Sequence, residues 1–538
     1  MKLIAQSENI EDFLDSNYIY VDKTEYIYNL TTNYKRVFFS RPRRFGKSLT
    51  LNTIGTLFEK GVDPYFKGTW IYDKWEQDKY PVLHLSFLEY SATDLEVFKR
   101  SLCQPLRDFA RLNKITDYTD DTEPGNLIRN IFTVMPDQMQ IVLLIDEYDR
   151  QLTANINNPE LYEMFRICIR DFYGALKGKK HIKFMAVTGV TRLKDVSIFS
   201  VGSDIKDLSY NNAYSKLIGF TRDEIKHFYL DYLKLGVTYE NDKTPENVND
   251  SEIENLIDRM AAHYDSYSFD EFNKYKVFST YSVNGFLQDL YEKKTVRFGD
   301  YWYDVGGLPS ILMKYMESHN LNIENLLTSE IAIPYNDFAN PTSLIDINEN
   351  VLMCQTGYLT LKSEIVSGYG VTLGPANREV RTALFLLLSL KIFDTNTPAF
   401  GLTNRYVIEK GNVEEIICLF NEVLSALSYD KYPVNDESVL RALLQVYLLG
   451  KNHDVRIEQH NSKGRSDILI NFPKRRVVLE LKYATEEKEE KIKLAEAEKQ
   501  IMDKGYGLEN LGDRELLQIA CVFNGDKNKR QITMFKKV

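Results

Sequence analysis

The sequence predicts an α/β protein in three segments: a parallel sheet flanked by helices over 1–215, a mostly helical region over 216–425 and a smaller α/β unit over 426–538. Three observations carry this reading. Short β-branched or aromatic runs at Arg36–Ser40, Pro81–Ser86, Gln140–Ile145 and Ile182–Thr188 alternate with helix-length stretches, as strands buried on both faces do. Beyond about residue 215 such runs become scarce and Tyr, Asn, Asp and Glu rise, which predicts helices, with a few strands near Gly357–Leu373. From Ser438 onward the pattern turns to helix, two adjacent strands, a charged helix and a further strand.

Each element has a local cause. In the middle region Thr221 followed by Glu224 predicts a capped helix start, and Ser251 opens a segment of the same form. In the last segment a helix is expected over Ser438–Leu449, strands over Ser466–Phe472 and Arg476–Leu481, a helix over Thr485–Lys504 and a strand over Leu516–Phe523. A turn near Pro473–Arg475 would pair the first two strands as a hairpin.

Composition narrows the class. With 538 residues, 43% hydrophobic and 27% charged, the chain is ordinary globular material and long enough for several cores. No apolar run approaches the roughly 18 residues of a membrane span, and the N-terminal stretch lacks the apolar core of a secretory signal, so a cytoplasmic protein with no membrane partner is expected. Five scattered cysteines without a CxxC pair predict reduced thiols rather than disulfides or zinc. The net charge of −10 argues against a chain-wide nucleic-acid surface, although 17 basic and 14 acidic residues from Glu458 onward leave the tail mildly basic.

Two constellations carry chemistry. In the first, a strand runs into Gly46-Lys47-Ser48, which opens an apolar-periodic helix. That order suits a phosphate-binding loop: backbone N–H groups cradle phosphates, Lys47 reaches the β and γ phosphates of ATP, and the Ser48 hydroxyl ligates Mg²⁺. A strict loop would carry Gly five residues before Gly46, where Arg41 stands. About 100 residues on, an apolar strand ends in Asp146 and Glu147, suited to holding Mg²⁺ and to polarising the attacking water. Thr188 and Arg192, after the next strand, sit where polar groups would sense the γ-phosphate.

In the second, Asp467 opens one strand of the expected hairpin, and Glu480 and Lys482 lie two residues apart on the other, hence on one face. Two carboxylates and a lysine converging there suit Mg²⁺ or Mn²⁺, with Lys482 positioning a nucleophile or stabilising a phosphorane. The seven histidines do not cluster in sequence; His460 precedes the metal-site strand, with a surface role the plainer reading.

The segments Tyr20–Thr24, Arg41–Ser48, Ile145–Asp149 and Thr188–Val190 resemble the AAA-ATPase-like family of bacterial proteins, typically joined to a nuclease-like C-terminal domain. That resemblance makes Arg41 a normal part of the loop, adds Arg44 and Phe45 to the nucleotide-binding set with Asp146 and Thr188, and places Asp22–Thr24 near the nucleotide. The arginines at 41, 43 and 44 are read as serving phosphates or a neighbouring subunit, with a nucleic-acid patch as the alternative. The Asp467, Glu480, Lys482 pattern resembles the PD-(D/E)XK nuclease superfamily. This second resemblance adds Glu437 as a further metal ligand and Gln500-Ile501 and Gly464-Arg465 as flanking matches. Together the two imply an N-terminal P-loop NTPase and a C-terminal restriction-endonuclease-like α/β domain. The expected cofactors are ATP and Mg²⁺ or Mn²⁺. The expected partners are nucleic acid, DNA before RNA, and a second copy of the chain. The function implied is ATP-coupled, metal-dependent phosphodiester hydrolysis; the alternative is an ATP-switched binding scaffold whose nuclease-like domain is silent.

Overall fold

The computed structural model describes residues 1–538 except 6, 15–16, 194–203, 242, 305–309, 320, 323–329, 394–401, 451–453, 458–459, 462–463 and 466; side chains at 451–466 also lie outside the description, that of His460 among them. The chain forms two compact units: Met1–His319 with Glu330–Val380, and Asn320–Ser329 with Arg381–Val538. The helical region expected over 216–425 is therefore shared: most of it packs with the N-terminal sheet, and its last part belongs with the C-terminal one.

In the first unit, helix α1 (Thr24–Asn33) precedes strand β1 (Arg36–Ser40), followed by α2 (Lys47–Lys60), β2 (Val82–Ser86), α3 (Leu95–Leu112), α4 (Pro124–Val134), β3 (Ile141–Asp146), α5 (Pro159–Leu176), β4 (Ile182–Gly189) and the short β5 (Lys206–Asp207). All five strands are parallel, in the order β2-β3-β4-β1-β5. Every residue of β1 and β3 is buried, as in a sheet covered on both faces. The order puts β4 between β1 and β3, so three strand ends, at Ser40, Gly189 and Asp146, open side by side at one edge.

Helices α6 (Arg222–Phe228), α7 (Leu230–Asn241), α8 (Asp250–Tyr264) and α9 (Thr280–Lys293) build a second layer, with a core of Ile225, Leu233, Leu256, Met260 and Phe286. Thr221 and Glu224 form the expected capping box. At α8 the box is made by Asn249 with Glu252, two residues before Ser251, because Asn249 Oδ1 accepts from the Glu252 N–H while the Glu252 carboxylate accepts from the Asn249 N–H. Strands expected near Gly357–Leu373 are present as two of the three in a small antiparallel sheet, made of β6 (Ile331–Pro334), which was not expected, β7 (Leu359–Leu361) and β8 (Gly370–Pro375).

In the second unit, α10 (Val413–Ser425) and α11 (Glu437–Gly450) precede β9 (Asp454–Ile457), β10 (Ile468–Asn471), β11 (Arg475–Ala484), α12 (Glu487–Lys504), β12 (Glu515–Asn524) and β13 (Gln531–Lys537). The sheet order is β13-β12-β11-β10-β9. Strands β10 and β11 are the expected hairpin, and the β11–β12 pair alone is parallel, with α12 as its crossover. Ala497 and Ile501 of α12 pack on Leu469, Val478 and Ala520.

Candidate active sites

The loop between β1 and α2 is held from both sides. Gly46 adopts φ +98°, a left-handed backbone in which a side chain would be strained, so glycine suits the turn into α2. Arg44 also has positive φ, +71°. Arg41 does not face the phosphate cradle. Its guanidinium is buried, donates to the Ser40 and Ser209 carbonyls at 2.9 and 2.5 Å, and lies 4.1 Å from the Phe269 ring centre. Burial pulls its pKa down to about 10. An arginine is therefore accommodated where a strict loop has glycine, because the side chain leaves the cradle and anchors the loop to its surroundings.

Arg44 and Phe45 border the cavity beside the loop while their side chains engage the helical layer. Arg44 donates to the main-chain carbonyls of Tyr301 and Trp302 at 2.9 and 2.6 Å. The Phe45 ring is buried edge-on against Tyr267 and Phe269, at 4.8 and 5.4 Å, with Trp302 at 6.3 Å. The Arg44 carbonyl in turn accepts from the Thr280 hydroxyl at 3.0 Å. Trp302 is fixed by Glu379, which accepts its N–H at 2.7 Å and the Ser282 hydroxyl at 2.8 Å. Burial pushes the Glu379 carboxyl up to about 8.

The polar residues meet at the three strand ends. Lys47 donates to the carbonyls of Arg41 and Pro42, each at 3.1 Å, and stands 3.7 Å from Glu147. Ser48 donates to one oxygen of Asp146 at 2.6 Å; the other accepts from the Thr188 hydroxyl and from the Glu147 N–H. Thus Lys47, Ser48, Asp146, Glu147 and Thr188, about 140 residues apart in sequence at the extremes, form one contiguous cluster. Glu147 has φ +53°, and its carboxyl is pushed up by burial, opposed by Lys47 and reinforced by Asp149 and Asp146.

Asp149, buried and not anticipated, clamps the turn after β4 by accepting from the Val190 and Thr191 N–H groups and the Thr191 hydroxyl. Gly189 belongs to the same clamp, since a Cβ there would lie 2.5 Å from the Tyr148 ring and 2.8 Å from Asp149. Arg192, by contrast, is paired with Asp207.

A cavity of about 580 Å³ adjoins this cluster. Its lining includes the polar Arg43, Gly46, Lys47, Ser48 and Glu147 and the apolar Val21, Ile27, Leu217, Ile218 and Phe220. That volume and mixed lining suit a nucleotide-sized ligand. Of the expected Asp22–Thr24 group, Asp22 accepts from the Thr24 N–H and hydroxyl and from the Trp70 N–H, while Lys23 lines the cavity and is held by both oxygens of Glu224.

In the second unit the hairpin register sets Asp467 beside Glu480, one step before the Ile468–Leu479 pair. Asp467 is fixed on two sides: one oxygen accepts from the Leu481 N–H at 2.8 Å and the other from Arg441 at 3.2 Å. Glu480 is fully buried, and its Oε2 has no hydrogen-bond partner. Burial pushes its carboxyl up to about 8, reinforced by Asp467 and Glu437 and opposed by Lys482. Lys482 reaches both Glu437, at 3.1 Å, and Glu480, at 3.3 Å. Burial lowers its affinity for a proton, but Glu480 and Glu437 outweigh this and raise it. Gln500 instead donates to the Tyr506 hydroxyl.

Among the described residues no three His, Cys, Asp or Glu side chains converge as a ready metal cage. The donors nevertheless fit a hard divalent cation. Glu480 presents an orphaned, fully buried carboxylate oxygen beside a second carboxylate, and such an atom is costly to leave unpaired. Arg441, which bridges Ser438 and Asp467, was not singled out from sequence, although it lies one helical turn after Glu437 on the same face.

Residues 7–199 match the family described as predicted AAA-ATPase, and residues 435–532 match the PD-(D/E)XK nuclease superfamily. Over 506 residues, 91% of this chain and 90% of the other, the protein is 27% identical to an uncharacterised protein in the vnfD 5′ region of Azotobacter chroococcum mcd 1. The chain carries an AAA-ATPase-like domain followed by a PD-(D/E)XK superfamily domain. No helix among the described residues is long and apolar enough to cross a membrane.

Proposed function

We propose that this AAA-ATPase-like, PD-(D/E)XK-bearing chain binds and hydrolyses ATP in its first unit and uses that cycle to control metal-dependent phosphodiester hydrolysis of nucleic acid, DNA in the first instance, by its second. The observation that carries the nuclease half is the Glu480 carboxylate, fully buried, with one oxygen unpartnered beside Asp467 and with Lys482 at its side. The ATPase half is supported by the contact of Ser48 and Thr188 with the two oxygens of Asp146 at the mouth of a nucleotide-sized cavity.

Each residue has a role its environment supports. Lys47 carries positive charge to the phosphates, and the loop N–H groups at the start of α2 bind their oxygens. Ser48 and Asp146 would hold Mg²⁺ at the nucleotide. Glu147, whose carboxyl burial pushes up, takes up the proton of the attacking water. Thr188 fixes the orientation of Asp146. In the second unit Asp467, Glu480 and Glu437 would hold Mg²⁺ or Mn²⁺, and Lys482 supplies a cation at the scissile phosphate. Bound there, the cation lowers the pKa of a water and offsets charge on the phosphate.

The alternative reading is an ATP-switched nucleic-acid- or protein-binding scaffold with a silent nuclease-like domain. In its favour, Asp467 and Glu480 are already engaged by Arg441 and Lys482. Incubation with supercoiled plasmid and Mg²⁺ or Mn²⁺, with and without ATP, separates the two. Cleavage lost in Asp467→Ala and deprived of its ATP response in Lys47→Ala supports the first. Intact ATP hydrolysis without cleavage under either metal sinks it.

A further inference from the structure

Helix α9 carries an asparagine where most of its buried positions are apolar. Val283, Phe286, Leu287 and Leu290 pack into the core of the helical layer, and Asn284 stands beside them, 8% exposed. Asparagine is a poor helix former, and a buried amide is costly unless its donors and its acceptor are met. The acceptor is met: Asn284 Oδ1 takes the Tyr229 hydroxyl at 2.6 Å. Tyr229 is itself buried, and Oδ1 is the acceptor its hydroxyl finds. That bond sets the amide, since a rotated amide would turn its N–H₂ to the hydroxyl and leave the phenolic proton unplaced. Nδ2 makes no hydrogen bond among the described residues, and Asn284 lines the cavity of about 580 Å³ beside the phosphate loop.

The neighbours of the amide indicate what it faces. Tyr229 and Phe220 line the same cavity, with ring centres 5.8 Å apart. Phe220 and Phe278 exchange two main-chain hydrogen bonds, of 3.2 and 2.8 Å, and Phe278 directly precedes Ser279, the cap of α9. The wall at Phe220 and the helix that carries Asn284 are thus tied together. One turn before Asn284, the Thr280 hydroxyl donates to the Arg44 carbonyl of the loop. Lys23, another polar group on the wall, has no donor to spare: Nζ gives to Glu224 Oε1 and Oε2 at 2.7 and 2.6 Å and to the Lys216 carbonyl at 2.7 Å. A neutral N–H₂ held beside aromatic walls suits an acceptor at the edge of a flat ring. Phosphate oxygens are better served by Lys47 and the N–H groups that open α2.

We propose that Asn284 donates its amide to a ring nitrogen of the adenine, with Tyr229 as the residue that positions it. The proposal rests on the ATP-binding reading above and adds to it the residue that reads the base. Affinity for ATP would then divide between phosphate contacts at residues 46–48 and a base contact at residue 284, some 240 positions away in sequence.

The test uses the full chain and equilibrium binding by calorimetry, with Ca²⁺ in place of Mg²⁺ to suppress turnover. The probes are ATP and ribose 5-triphosphate, which keeps the sugar and phosphates and lacks the base. Wild type should bind ATP the more tightly. Two variants remove the donor in different ways, so loss of fold in one leaves the other to decide. Tyr229→Phe with Asn284→Leu replaces both partners by apolar groups and leaves no orphaned hydroxyl. Asn284→Asp keeps the oxygen that Tyr229 needs and turns the donor into an acceptor. Each should bind ATP about tenfold more weakly relative to ribose 5-triphosphate than wild type does. Tyr229→Phe alone, which keeps the amide but frees it to turn, should show a smaller loss of the same kind. A residue that only supports the fold would lower both affinities together. An unchanged ratio of the two affinities in the variants, or wild-type protein that binds both probes equally, overturns the proposal and leaves the phosphate site standing. Wild-type protein that binds neither probe overturns the ATP-binding reading and the proposal with it.

Discussion

Glu379 offers a quantitative test of how the nucleotide loop is seated. Its carboxyl accepts the Trp302 N–H and the Ser282 hydroxyl, and Trp302 in turn receives Arg44 from the loop. Burial raises its pKa from 4.5 to about 8. A carboxyl raised in the folded state binds a proton more tightly there than in the unfolded chain. Stability is therefore fully retained below the unfolded value and falls as pH rises through the folded one. The slope is about 1.4 kcal/mol per pH unit between those values, or roughly 4–5 kcal/mol over the window as an upper bound. Glu379→Gln preserves shape and cannot ionise. Its carbonyl can accept from Trp302 while its amide donates to a rotated Ser282. All three tryptophans, Trp70, Trp75 and Trp302, lie in the first unit, so tryptophan fluorescence reports that unit's unfolding. In urea titrations from pH 5 to 8.5 the variant should gain on wild type steadily, and be the more stable by several kcal/mol at the alkaline end. A difference in midpoint that stays flat across this range would refute the argument.

Three further outcomes follow from the same contacts. Phe45→Ala should cost about 3–5 kcal/mol in the tryptophan-reported transition, because it empties a fully walled aromatic site, and should abolish nucleotide binding as the loop loses its seat. Thr188→Val removes the hydroxyl that fixes Asp146; kcat for ATP hydrolysis should fall about tenfold with KM little changed, as steady-state kinetics would read. In wild type, Mn²⁺ uptake by the second unit should strengthen as pH rises toward about 8, where Glu480 gives up its proton, and Glu480→Gln should lose both the uptake and its pH dependence in calorimetric titrations.

The strands were legible because a parallel sheet buried on both faces writes itself as short apolar runs, and each expected run falls within a residue or two of β1 to β4. The Lys47, Ser48, Asp146 and Thr188 cluster was legible because Asp146 and Thr188 stand at strand ends and Lys47 and Ser48 open the helix that follows β1, where topology brings them together. What sequence could not show is where long side chains go. Arg41, Arg44 and Phe45 read as one loop with Lys47, yet three of the four turn to Ser209, Trp302 and Tyr267, partners 168 to 258 positions away. Arg441 escaped for the opposite reason: its partner Asp467 is 26 residues distant, and nothing in spacing alone distinguishes it from other helical arginines.

The seat of Phe45 bears on what can be separated from what. Its walls come from residues 267, 269 and 302, and the carbonyl beside it is held from residue 280, all beyond the stretch 7–199 that matches the ATPase family. A chain cut after residue 215 would keep every strand of the parallel sheet and every residue of the phosphate motif. It would also leave the Phe45 ring and Arg44 without the surfaces that fold them, and Arg41 without Phe269. The nucleotide site is therefore not a portable cassette: to transplant it, or to express it alone, requires carrying the helical layer with it, and insertions tolerated elsewhere in that layer will be resisted around Trp302.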